Sequence, residues 1–210
     1  GGILNQSLIV YTTIGGGHEN IANAYASTVT GGEFNNAGGN WSYVGAGQSN
    51  ASIGIFSTTG GGASNVATGD TSVIGGGSFN SAAGLVSTIA GGTKNGALAL
   101  MSTVGGGGSN SAASDFTVVA GGTSNTALGI ASAVGGGTGN STGPGANATI
   151  AGGLTNAASG VYNAIGGGSV NVTGPGSDAT IAGGHNNVAS GVNAAVGGGR
   201  RLQDHPVGGG

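Results

Sequence analysis

The chain has 210 residues, of which 53 are Gly, three are Lys or Arg, six are Asp or Glu and none is Cys. Three cations cannot form the basic stripe that a nucleic-acid ligand requires, and without cysteine there is no disulfide framework. No apolar run approaches the roughly 18 residues of a membrane span, yet hydrophobic residues make up 37% of the chain, enough to build a core.

The opening Gly-Gly-Ile-Leu-Asn-Gln-Ser lacks a Met and shows no signal-peptide pattern, so a processed or trimmed product is expected. Its first eleven residues are in phase with a fifteen-residue unit that then recurs along the chain. Residues 12–26 read TTIGGGHENIANAYA, and further copies begin at 27, 42, 57, 72, 87, 102 and 117. Copies at 132–147 and 163–178 carry one extra residue within a Thr-Gly-Pro-Gly insertion, and those at 148–162 and 179–193 return to fifteen. In the last copy Arg200-Arg201-Leu202-Gln203-Asp204-His205-Pro206 replaces the regular columns. Charges and a Pro suit an exposed solenoid end, so residues 200–210 are read as an irregular cap or junction after one repeat region at 1–199.

The consensus is [ST]-x-[IV]-[GA]-G-G-x-x-N-x-A-x-G-x-x. Column 3 holds Ile14, Val29, Val44, Ile74, Ile89, Val104, Val119, Val134, Ile150, Ile165, Ile181 and Val196, with Thr59 the exception. β-Branched residues suit strands, and so uniform a column is read as an inward stack. Column 6 is Gly in every copy, which points to a corner with positive φ or close backbone approach. Column 9 holds Asn5, Asn20, Asn35, Asn50, Asn65, Asn80, Asn95, Asn110, Asn125, Asn140, Asn156, Asn171 and Asn187. Stacked amides can hydrogen-bond from layer to layer, so this column is read as a ladder. Column 11 is small, mostly Ala, with Ser52, Thr142 and Thr173 as variants.

Gly-Gly pairs in all units but the one with Ala46, and the lack of an i, i+3, i+4 pattern, exclude helices. The expected fold is all-β, a parallel β-solenoid (β-roll) of about 13 coils. One unit is taken as one coil; alternation of Gly and Ala in column 4 leaves a two-unit coil as the alternative.

The motif Ser-x-[Ile/Val]-Gly-Gly-Gly-x-x-Asn-x-Ala-x-Gly resembles the head repeats of trimeric autotransporter adhesins and similar phage tail-fibre repeats. The resemblance rests on the Ser starts (Ser27, Ser42, Ser57, Ser72, Ser87, Ser102), the Ile/Val column, the Gly after it and the Ala column. It implies a left-handed β-roll, three chains to a head, displayed at a bacterial surface. The unit is fifteen residues rather than the family's fourteen, and nothing here corresponds to its coiled-coil stalk or membrane anchor.

No enzyme is expected. Lys94 follows Gly92 without the Ser or Thr of a phosphate loop, and the glycines lack a strand–turn–helix context. Asp70 with Asp115, and His18 with His185, share columns but stand several units apart, while Asp204–His205 has no nucleophile beside it. No cofactor or metal is implied. The outer columns are more informative. Leu8 with Val10, Ile53 with Ile55, Leu98 with Leu100 and Leu128 with Ile130 pair apolar residues, and Trp41, Phe56 and Phe116 follow in column 15. This set is read as an apolar interface stripe. The expected function is a structural, extracellular or cell-surface fibre module whose partners are copies of itself, in a trimer or filament. An adhesin head that binds a surface ligand or glycan is the alternative, and an ice-binding solenoid, from the Thr of column 2, is a second. Sequons at Asn5, Asn40, Asn50, Asn140, Asn147 and Asn171 would carry glycans only where their side chains face out.

Replacing Ile74 by Asp puts a charge into the column-3 stack; the expected outcome is loss of β-sheet circular dichroism and cooperative melting. An unchanged melt would refute the inward assignment.

Overall fold

The structure, a computed structural model, describes residues 1–201; Leu202–Gly210, which include the Asp204–His205 pair and most of the expected cap, lie outside the described residues. It is all-β, a parallel β-solenoid of thirteen coils, one repeat unit of fifteen or sixteen residues to each. The thirty-residue alternative is excluded by register: Val73 pairs with Thr88 and Ile74 with Ile89, fifteen residues on. The chain comprises two compact units, Gly1–Ser109 and Asn110–Gly210.

Every strand is two residues long. Columns 2–3 form one parallel sheet (Thr28–Val29, Tyr43–Val44 and their equivalents) and columns 10–11 the other (Asn36–Ala37, Ala51–Ser52). Each sheet has seven strands in the first unit and six in the second. Column 7 adds a line of single parallel bridges, such as Glu33 to Gln48 and Ser169 to His185.

The strands are short because the backbone reverses between them in the left-handed region. Columns 8 and 15 hold non-glycine residues with φ between 51° and 63°, among them Phe34, Trp41, Val86 and Val170. This conformation costs an L-residue about 1–2 kcal/mol. Turning the peptide over offsets that cost, because it redirects the N–H along the stack. Strand amides donate to the following coil, as Thr28 N–H does to Ser42 O (3.0 Å), whereas Phe34 N–H donates back to His18 O (3.0 Å) and Trp41 N–H back to Tyr25 O (2.8 Å).

Column 6 is glycine for a steric reason. At Gly77 φ is +90°, and a Cβ there would run into the carbonyl oxygen of Gly92 and lie 2.8 Å from Asn80 Nδ2. Column 13 is different. Gly54 and Gly69 have no positive φ, but a Cβ on either would strike the backbone of the next coil. The two insertions are absorbed between column 11 and the next column 1. The register steps from fifteen to sixteen (Ala133 to Thr149, Ser141 to Ala157) while the strand columns stay aligned.

The interior is one side chain thick. Each regular coil contributes an Ile or Val from column 3, a small residue from column 11, the Asn of column 9 and a Ser, Thr, Ala or Asn from column 1. The column-3 residues from Val29 to Ile181 are buried; Ile14, in the first full coil, is only half-buried. Full burial of each Val or Ile contributes about 1.5–3 kcal/mol. Thr59, which breaks that column, is buried against Ser52, which breaks column 11; their hydroxyls share a hydrogen bond of 2.9 Å, and Ser52 Oγ also lies 2.9 Å from Tyr43 O. Two departures from consensus are therefore one compensated pair.

The Asn column threads each unit. Asn80 Nδ2 donates to Gly76 O in its own coil (3.0 Å) and to Gly92 O in the next (2.9 Å), while Asn80 Oδ1 accepts Asn95 N–H (3.0 Å). Asn125 and Asn140 repeat the pattern in the second unit. Described Asn side chains of this column are buried, apart from the half-buried Asn5.

Asn80→Ala strips the side-chain partner from Asn95 N–H and Gly76 O at once. The expected loss is about 3 kcal/mol, with hydrogen-exchange protection collapsing first at the Asn95 amide. A double-mutant cycle on Ser52→Ala and Thr59→Val should return a coupling of about 1 kcal/mol, the double variant being more stable than the sum of the singles predicts. Strict additivity in urea melts would contradict the pairing.

Candidate interaction surface

The second corner of each coil, columns 12–15, must leave the interior because column 11 and the following column 1 occupy it. Side chains at columns 12, 14 and 15 therefore project from the stack at the pitch of the coils. In the first unit Leu8, Val10, Trp41, Ile53, Ile55, Phe56 and Leu98 are exposed there. Leu100, expected in the same stripe, is half-buried instead. In the second unit Phe116, Leu128 and Ile130 are exposed.

Within the first unit the stripe contains a ladder of aromatic rings. Tyr11 meets Tyr25 edge to face at 5.4 Å, Tyr25 meets Trp41 at 5.4 Å and 75°, and Trp41 stacks on Phe56 at 4.8 Å and 7°. The spacing follows from hydrogen-bonded coils, about 4.8 Å apart, and such pairs contribute about 0.5–1.5 kcal/mol beyond burial. The rings nonetheless remain open, with Tyr11 75% exposed, Phe56 54% and Trp41 48%. Tyr25 sits in column 14, not 15, and was not part of the expected stripe; what joins it to the rings of column 15 is contact across coils.

Polar residues at column 14 have a structural task. Asp70 Oδ1 accepts Ile55 N–H at 2.8 Å and Asn40 Oδ1 accepts Tyr25 N–H at 3.1 Å, each answering a donor of the preceding coil. Asp70 thus has a backbone partner in the preceding coil. Sequence reasoning also passed over the first corner, where Leu4, Phe34 and Phe79 are exposed in column 8 of the first unit and Val170 in the second. Phe34 packs edge to face on His18 at 5.5 Å, and His18 in turn lies 3.5 Å from the Glu19 carboxylate.

Among the described residues no group of three or more His, Cys, Asp or Glu is placed to hold a metal, and no helix is long and apolar enough to cross a membrane. Lys94 sits in the left-handed position of column 8. The Thr face of column 2 is discontinuous, since exposed Tyr43 and Val73 interrupt the first unit and Val118 the second. Of the sequons, Asn50, Asn140 and Asn171 are buried in the ladder, Asn5 is half-buried, and Asn40 and Asn147 are exposed. No protein-family model matches the chain, and no curated protein matches it.

Proposed function

We propose that the chain is a structural, non-enzymatic solenoid module of an extracellular or cell-surface fibre that associates laterally with copies of itself through the second corner. The observation that supports this most directly is the exposed ladder Tyr11–Tyr25–Trp41–Phe56, flanked by Ile53, Ile55 and Leu98. A periodic apolar stripe is covered along its length by a surface of the same period, and another stack of hydrogen-bonded coils has that period by construction. With nine charged Lys, Arg, Asp and Glu in 210 residues, little like-charge repulsion opposes such contact. Trp, Tyr and Phe are also the side chains that dominate interface energetics once buried. The likeness of the repeat to adhesin-head and tail-fibre repeats agrees with a displayed, oligomeric module.

Light scattering of the purified chain at micromolar concentration should give a mass of at least two protomers. Trp41→Lys combined with Ile53→Lys should shift it to one protomer while far-ultraviolet circular dichroism stays the same. A wild-type chain that is monomeric throughout would defeat the proposal, as would a double variant with undiminished mass.

A further inference from the structure

Of the chain's three Lys and Arg residues, two are adjacent at Arg200 and Arg201, and both line a cleft in the second unit. The cleft has a volume of about 390 Å³ and is lined, among the described residues, by His185, Asn186, Arg200 and Arg201. The grouping follows from the repeat. Column 7 places His185 beside Arg200 as a parallel bridge, and column 8 places Asn186 beside Arg201, both left-handed at φ 57° and 63°. Backbone bonds fix the two coils against each other: His185 N–H donates to Gly199 O at 2.8 Å and Arg201 N–H to His185 O at 2.8 Å. The histidine ring is also held, with Ser169 Oγ 2.8 Å from Nδ1. When Ser169 donates to Nδ1, Nε2 carries the proton and is a further donor.

We propose that this cleft is a binding site for an oxyanion: a sulfate, phosphate or carboxylate group, free or carried on a larger acidic molecule. Two guanidinium forks, an imidazole and an amide supply donors, and no carboxylate stands among the described lining residues. Elsewhere in the chain cations are almost absent, Lys94 being the remaining one, so the pair marks one locality in an otherwise weakly charged surface. The cleft is larger than a single inorganic ion and falls in the range of small-molecule sites, so a polyvalent carboxylate or a sulfated sugar fits it better than sulfate alone. The site is independent of the apolar stripe, and its test does not depend on self-association.

Two-dimensional amide NMR of the full chain at low ionic strength, titrated with sodium sulfate and separately with sodium citrate against matched sodium chloride, provides that test. Saturable shifts confined to the His185, Asn186, Arg200 and Arg201 amides are expected, with citrate the tighter ligand. Arg200→Ala and Arg201→Ala should each weaken binding about tenfold, whereas Lys94→Ala should leave it unchanged. Shifts that match chloride, or that survive loss of both arginines, overturn the proposal. Binding seen only after Asp204→Ala overturns it too, because the chain's own carboxylate would then be the occupant.

Discussion

A fifteen-residue coil with only four strand residues has few strand hydrogen bonds, and the asparagine at its first corner supplies much of what is missing. Its amide donates to one carbonyl in its own coil and one in the next, and its oxygen accepts the backbone N–H of the following asparagine. The carbonyl in the next coil also accepts a column-7 N–H, as Gly92 O does from Ser78, but the own-coil carbonyl and the asparagine N–H have this amide as their partner, and leaving buried groups unmet costs about 1–3 kcal/mol each. The glycine of column 6 is the counterpart of this amide. Any Cβ there would occupy the space through which Asn Nδ2 reaches the next coil, so both columns persist together.

The thinness of the interior decides what the surface carries. With one β-branched side chain and one small one facing each other, no room is left for the larger apolar residues. Leucines, aromatic rings and the isoleucines outside column 3 stand at the corners, where stacking at the coil pitch brings them into line. A globular domain hides such residues in a thick core; here they become a stripe of exposed hydrocarbon. The same periodicity places the arginines of one coil beside the histidine and asparagine of the preceding one, and the four line a common cleft.

Much of the fold was legible because each column repeats. The Ile/Val column announced a stack, the Asn column a ladder and the invariant glycine a corner, each through a residue type with one dominant physical role. The left-handed residues were not legible. Phe34, Trp41 and Val86 have no intrinsic preference for positive φ, and they adopt it because the coil must close and their N–H groups must point backwards. The pairing of Thr59 with Ser52 was also hidden: two small deviations seven residues apart acquire meaning only when the two strands face each other across the interior.

The sequence by itself therefore determined the repeat, the inward columns and the all-β class, because periodicity along a chain maps directly onto periodicity along a stack. Tertiary structure decided that one unit makes one coil, that the chain divides after Ser109, and that Tyr25 joins Tyr11 and Trp41 across adjacent coils. It also decided that Leu100 is half-buried, and that Arg200 and Arg201 stand beside His185 and Asn186. The physical reason is common to all of these. Residues fifteen apart become neighbours only once hydrogen bonds set the register, and a contact between coils belongs to the register rather than to any single turn.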